Sequence, residues 1–474
     1  MKNSSTVING VLWSAIDRIA IVGIQMLFEI ILARLLLPFE YGLIGIVAIF
    51  LAIAQVFVDG GFMNALIQKQ DRTELDYSTV FYTSLLLSIT IYTILFFSAP
   101  SIASFYNVPS LTAIVRVLGI SIIINSLALV YRVKLSISMD FKIQAKLSVL
   151  SVLLSGFLGI FLAYHHHGVW SLVFQSICLY ACNTIFLGLN LRWLPMLAFS
   201  KKSFDKLFGF GSKLLVAGLI QAIYSNSYSV LIGKVFSMRE LGLYSKSSQF
   251  TLYPSSMMTN MLQRVLYPYL SQYQNDDSKL FELNKQYYTI IAMLFFPLFV
   301  GLGVLAEPFV RLLLSDTWIE AVPLIRILAL TFLIYPFINV NMFVFQIKGM
   351  SSKFLWIEIL TKITGIIILV VTIKYGIFIM CCGLLVQHLI QLIVTSYYSD
   401  KAMNSKLFSQ LLVLFPMMIV SIFSALIVFS AIQYFNKPVL QLIIGIFIFV
   451  ILYLTFYYYY MRELTLSFAK RIFK

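Results

Sequence analysis

Apolar runs of membrane-spanning length recur along the whole chain, each broken by a short polar segment. A spanning helix needs about 20 predominantly apolar residues. Runs of that kind predict helices at 11–33, 43–66, 78–99, 112–131, 146–164, 169–190, 212–233, 247–270, 287–306, 324–347, 354–373, 377–398, 408–433 and 439–460. The eighth of these fourteen is the most polar, with Ser255, Ser256, Thr259, Asn260 and Arg264 inside it. Asp17 and Arg18 interrupt the first run, which therefore reads as a retained helix and not as a cleaved signal. The connections are short, and none is long enough for a separate extramembrane domain.

Composition agrees. The 474 residues are 60% hydrophobic and 11% charged, against about 45–50% and 25% in soluble domains. This excludes a soluble enzyme and a disordered chain. The formal net charge is +15. Placing the N-terminus inside puts 23 Lys and Arg in the inner segments and 7 in the outer ones. That asymmetry predicts a multi-pass protein of the bacterial cytoplasmic membrane with both termini cytoplasmic. No basic cluster forms a continuous face, so nucleic acid is not expected as a partner. Cys178, Cys182, Cys381 and Cys382 sit in apolar runs without metal or redox spacing.

The chain repeats itself at an offset of 200. LARLLLPFEYGL from Leu32 aligns with IGKVFSMRELGL from Ile232, pairing Arg34 with Lys234, Glu40 with Glu240, Gly42 with Gly242 and Leu43 with Leu243. Further on, VRVL from Val115 aligns with IRIL from Ile325. Two six-helix lobes in parallel repeat follow, at 1–195 and 196–400, with two additional helices and a tail at 401–474. Repeated lobes are an architecture of alternating-access transporters.

Ionisable groups inside a bilayer face the bundle interior or a water-filled cavity. Ser14, Arg18, Gln25 and Glu29 fall within an arc of about 60° on the first helix, with Asp17 beside them. The seventh helix carries Gln221, Ser225, Tyr228 and Ser229, and Ser225 and Ser229 are the repeat equivalents of Gln25 and Glu29. Two polar stripes of this kind line a hydrophilic cavity or bond neighbouring helices. Arg116 and Arg326 occupy equivalent positions, suited to an anionic head group or to snorkelling. Glu358 and Lys362 are spaced as a helical ion pair. His388 reads as a hydrogen-bonded intramembrane histidine, and His165 to His167 as a solvated turn. Arg34, Glu40, Lys234 and Glu240 place one basic and one acidic group per lobe near the outer face, where opposite charges can pair when that face closes.

Gly209-Phe210-Gly211-Ser212-Lys213 lacks phosphate-loop spacing, which excludes ATP-driven pumping by this chain. No hydrolase or metalloprotease motif is present, no cofactor or metal is expected, and the outer segments are too short for a catalytic loop.

Several stretches resemble the polysaccharide-synthesis, O-antigen flippase (Wzx-type) transporters of the multidrug/oligosaccharidyl-lipid/polysaccharide exporter superfamily. DGGFMNALIQKQ from Asp59 resembles the family's end of helix two, followed by Thr79-Val80-Phe81 at the entry to helix three. FYNVPSL from Phe105, RVLYPYLSQYQND from Arg264 and RLLLSDTWIEAVPLIRIL from Arg311 follow in family order, with Ser315 standing where the family often has Gly. The resemblance implies a flippase for undecaprenyl-pyrophosphate-linked oligosaccharide units, serving lipopolysaccharide, capsule or exopolysaccharide synthesis beside polysaccharide polymerase machinery. It implies a cationic cavity residue for the pyrophosphate, for which Arg18 is the positional match. A cation-coupled multidrug exporter of the same fold is the alternative, and a membrane glycosyltransferase or polymerase is the reading from another class. The Arg-bearing stripe and the short outer loops count against them respectively.

Overall fold

The computed structural model describes residues 21–460, which are almost entirely helical. The chain divides into two compact units, one ending at Gly242 and the other starting at Leu243.

The first unit opens with α1 over residues 21–35, then α2 (Pro38–Asp59), α3 (Phe62–Gln68), α4 (Glu74–Tyr106), α5 (Leu111–Leu127), α6 (Leu129–Ser138), α7 (Phe141–Tyr164), α8 (Val169–Leu191) and α9 (Lys201–Val235). The first turn of α10 (Met238–Ser271) also belongs to it. The second unit holds the rest of α10, then α11 (Asp277–Val304), α12 (Ala306–Leu313), α13 (Ala321–Ile347), α14 (Ser351–Thr372), α15 (Ile377–Ala402), α16 (Ser409–Leu412), α17 (Leu414–Ile432) and α18 (Pro438–Tyr460).

Twelve helical spans among the described residues are long and apolar enough to cross a membrane. The expected first helix lies partly outside the described residues. The expected eighth is α10, whose polarity has a structural reason. Ser247, Thr251, Ser255 and Thr259 form a buried stripe at four-residue spacing. Ser247, Thr251 and Thr259 bond carbonyls one turn back, and Ser255 Oγ donates to Phe332 O of α13 at 2.8 Å. Small hydroxyls satisfied in this way cost a buried helix little.

Several boundaries differ from the apolar runs for identifiable reasons. The run at 43–66 is two helices, because Gly60 and Gly61 adopt positive φ of 49° and 71°, a region open to glycine. The third helix starts earlier than its apolar run, at Glu74, because Thr73 and Asp76 form a reciprocal capping box. The seventh starts at Lys201, where Ser200 Oγ accepts from Ser203 N–H. Within the first unit α9 packs on α2, α3 and α4, although the repeat assigns it to the second lobe. Within the second unit α13 is the central helix, with 67% of its most apolar window buried, between α11 and α15.

Three connecting segments of the first unit bond to one another. Lys134 Nζ lies 2.9 Å from Glu74 Oε1, and Trp193 Nε1 donates to Glu74. The backbone of Met196 and of Ser200 donates to Ser78 Oγ and Thr79 Oγ1. In the second unit Lys348 pairs with Asp277 at 2.5 Å, and Asn404 donates to the same carboxylate.

Candidate functional site

The repeated segments after the first and seventh helices meet at one end of the first unit, and they meet through glycine. A Cβ on Gly42 would overlap the Met238 carbonyl, and one on Gly242 would overlap the Pro38 carbonyl. Residues 38 and 42 thus cross residues 238 and 242 reciprocally, as an approximate two-fold. Only glycine lets two helix backbones approach this closely.

The two carboxylates beside this crossing act locally. Glu40 Oε2 accepts from Leu37 N–H at 2.7 Å. Glu240 Oε2 accepts from both N–H and Oγ of Ser237 at 3.0 Å, and Ser237 Oγ accepts from Glu240 N–H. Each carboxylate therefore caps its own helix, where the helix dipole also favours it. Lys234 Nζ donates to Phe105 O at 2.6 Å and lies 4.2 Å from that ring, tying α9 to the end of α4. Arg34 is exposed.

Asp17 and Arg18 lie outside the described residues. Gln25 and Glu29 are half-buried on α1. Phe28, on the helix between them, seats against Gly156 and stacks edge-on with Phe157 at 5.3 Å. Glu29 lies beside the Tyr41 hydroxyl. Gln221 and Ser225 are exposed on α9. Both stripes thus present polar groups on otherwise apolar helices. Arg116 sits elsewhere, its Nε donating to Phe96 O at 3.2 Å with its guanidinium over the Phe96 ring. Arg326 is exposed on α13 in the second unit. The i,i+4 pair Lys362–Glu358 forms at 3.3 Å, and His388 is buried with Nδ1 on Leu384 O at 3.0 Å. Gly211 of the phosphate-loop look-alike lies inside α9, where Gly60 and Gly61 pack against it backbone to backbone.

Two polar chains, the first half-buried and the second fully buried, escaped the reading by spacing. In the first unit, Gln55 Nε2 donates to Asp59 Oδ1 at 2.8 Å and Asn125 Nδ2 donates to Gln55 Oε1 at 2.5 Å. Arg132 completes the chain by donating to Asn125 Oδ1 and, at 3.1 Å, to Asn125 O; its charge acts on Asp59. In the second unit, Gln410 Nε2 donates to Asp400 Oδ1, and Asn284 Nδ2 donates to Gln410 Oε1 at 2.8 Å. Asn284, Gln410 and Asp400 are fully buried.

A family model described as "Polysaccharide biosynthesis protein" matches residues 31–323. The chain is 26% identical over 354 residues to the teichuronic acid biosynthesis protein TuaB of Bacillus subtilis, covering 74% of this chain and 73% of that protein. It is 24% identical over 327 residues to the lipopolysaccharide biosynthesis protein WzxC of Escherichia coli, covering 68% and 66%. Its fold matches the lipid II flippase MurJ in its inward closed conformation with a TM-score of 0.74 at 14% identity, over 96% of this chain and 100% of that one.

Proposed function

The chain belongs to the polysaccharide biosynthesis protein family, and from that premise we propose that it flips undecaprenyl-pyrophosphate-linked oligosaccharide units across the bacterial cytoplasmic membrane. The product is lipopolysaccharide, capsule or another exported polysaccharide. The observation that carries this reading is the agreement between polysaccharide-named relatives over two thirds of the chain and a flippase fold over nearly all of it.

In this reading Asp17, Arg18, Gln25 and Glu29 on the first helix, with Gln221 and Ser225 on α9, form the polar surface that receives sugars. Arg18 takes the pyrophosphate, since a planar guanidinium matches phosphate oxygens in a fork. Arg116 and Arg326 supply positive potential. The outer end closes at the Gly42–Gly242 crossing, with Arg34, Glu40, Lys234 and Glu240 fixing the helix ends around it. Both termini are cytoplasmic.

The test is complementation. In a strain lacking its own flippase for a lipid-linked repeat unit, the wild-type chain restores surface polysaccharide. Arg18→Ala, at equal membrane level, abolishes it, and Arg18→Lys retains part. A wild-type chain that exports cationic dyes and restores no polysaccharide would favour the drug-exporter reading and end this one.

A further inference from the structure

We propose that the first unit holds a site for the phosphodiester head group of one anionic phospholipid, in a cavity between the end of α3 and the first turns of α9, with Lys206 as its principal cation. The site stands independently of the flippase reading.

The cavity measures about 250 Å³. Ala65, Leu207 and Phe210 give it an apolar side, and Lys69, Asp71 and Lys206 give it charge. Sites that take a whole drug-sized ligand run to about 300–1,000 Å³. This one therefore suits a head group, with the acyl chains left outside. Its two walls are locked together. Gly60 and Gly61 meet Gly211 of α9 backbone to backbone. Next to them the Phe62 ring of α3 lies 6.3 and 6.2 Å from the rings of Phe204 and Phe208.

The charges around the cavity differ in how firmly they are held. Lys69 Nζ lies 2.5 Å from the carboxylate of fully buried Asp76 and is neutralised there. Lys206 comes only within 4.0 Å of Asp71, and the two side chains are 66% and 76% exposed. An exposed pair at that distance contributes little, so Lys206 can exchange Asp71 for another anion at small cost. Arg72, beside Asp71, donates to two main-chain carbonyls, those of Leu66 and Ile67. Lys69, Arg72 and Lys206 against Asp71 and Asp76 leave one positive charge in balance. A phosphodiester monoanion neutralises it. A pyrophosphate, more highly charged, overfills it.

The position along α9 points to a lipid. The helix has 35 residues, which is about 52 Å at 1.5 Å each, against a hydrocarbon core of about 30 Å. Its uninterrupted apolar part begins after Lys213, so the turns before it stand in the head-group layer. There Lys202, Lys206, Phe210 and Lys213 are all exposed, within an arc of about 80° on the helix. Asp205, also exposed, falls outside that arc. Lys202 and Lys213 thus extend the cationic surface to either side of the cavity. Each lysine near an anionic lipid surface strengthens binding about fivefold, and an exposed ring beside them meets the start of the acyl chains.

The experiment counts lipids bound to the purified full-length chain in nonionic detergent by native mass spectrometry, comparing dioleoylphosphatidylglycerol with dioleoylphosphatidylcholine. The first phosphatidylglycerol is expected to bind about fivefold more tightly than phosphatidylcholine. K206Q is expected to lose most of that preference. D71N, which frees Lys206 from its competing carboxylate, is expected to bind phosphatidylglycerol several-fold more tightly than the wild type. K437Q, on the turn before α18, is expected to match the wild type. Lys206 and Asp71 are exposed, so both variants are expected to keep the wild-type Tm. Equal affinity for the two lipids overturns the site. So does a preference unchanged in both K206Q and D71N. Farnesyl pyrophosphate that displaces phosphatidylglycerol, and does so more tightly than phosphatidylglycerol itself binds, gives the cavity to a polyprenyl pyrophosphate and overturns the phospholipid assignment.

Discussion

The two polar chains use the same vocabulary and end differently. In the first unit Asp59, Gln55 and Asn125 are joined to Arg132 across α2, α5 and α6. In the second, Asp400, Gln410 and Asn284 are joined across α15, α16 and α11, and no basic side chain follows. The glutamine plays one part in both, accepting from an asparagine and donating to a carboxylate. What changes is the presence of a positive charge. Arg132 ties the first chain to a fixed cation. The second holds its carboxylate through neutral donors alone among the described residues. Elsewhere the repeats treat each other alike, at the crossing of Gly42 and Gly242. The molecule is thus near-symmetric in backbone where the repeats touch and asymmetric in charge inside each unit.

The largest effect follows from breaking the first chain. Arg132→Met removes the charged donor bonded to Asn125 and the positive charge that acts on half-buried Asp59. Loss of hydrogen bonds to a charged group costs about 1.5–3 kcal/mol, read as a drop in Tm and in monodisperse yield. Adding Asp59→Asn to Arg132→Met is expected to recover a large part of that loss, since the uncompensated charge disappears. A double variant no better than the single one would show that Arg132 acts by packing and not by charge.

The symmetric contact is tested by symmetric substitution. Alanine at Gly42 or Gly242 drives a methyl group into a backbone carbonyl that cannot rotate away. Overpacking of this kind costs about 1–3 kcal/mol, and the two variants are expected to lose equal amounts of stability and of polysaccharide export. Gly23, with open space where a Cβ would stand, is the control and tolerates alanine. Unequal losses at 42 and 242 would deny the reciprocal crossing.

The middle amides separate the chains again. Replacing Gln55 or Gln410 by Leu leaves buried partners unsatisfied, at about 1–2 kcal/mol each. The Gln55 variant is expected at the lower end of that range, because Gln55 and Asp59 are half-buried, and the Gln410 variant at its upper end, because Gln410, Asp400 and Asn284 are fully buried. Thermal unfolding of the two variants measures the difference.

Which of these features a sequence can disclose depends on how locally each is encoded. Spanning helices are written in contiguous composition, so all twelve described spans were legible, and α10 drew attention through its buried hydroxyls. The repeat disclosed Gly42 and Gly242 as equivalents. That they touch was not legible, because one-dimensional correspondence carries no distance. Glu40 and Glu240 were legible as recurring charges beside a recurring glycine, and their capping role needed the positions of Leu37 N–H and Ser237. Arg116 was read as suited to an anionic head group or to snorkelling, and its bond to Phe96 O, 20 residues back on α4, was not legible. The second polar chain left the faintest trace. Asn284 and Gln410 are 126 residues apart, each a lone amide in an apolar stretch and indistinguishable from ordinary helix-bonding residues until the fold brings them together.

The smallest effect compares the two caps flanking the crossing. Glu240 and Ser237 bond reciprocally, whereas Glu40 accepts from Leu37 N–H and Leu37 has no side-chain acceptor to return. Loss of a capping interaction costs about 0.5–2 kcal/mol. Glu240→Ala, which removes two bonds while the backbone N–H of residue 240 keeps its bond to Ser237 Oγ, is expected near the middle of that range and Glu40→Ala, which removes one, near its lower end. Glutamine separates capping from charge. It keeps an acceptor oxygen at the same reach, so Glu40→Gln and Glu240→Gln are expected to retain most of the stability that alanine loses, with only the dipole contribution of about 0.3–1 kcal/mol removed. If glutamine proved as costly as alanine at both sites, the negative charge itself would be what the crossing requires, and its partners would have to be sought among Arg34, Lys234 and Arg239. Thermal unfolding at low and high salt settles this, because the acceptor contribution persists in salt while the charge contribution is screened.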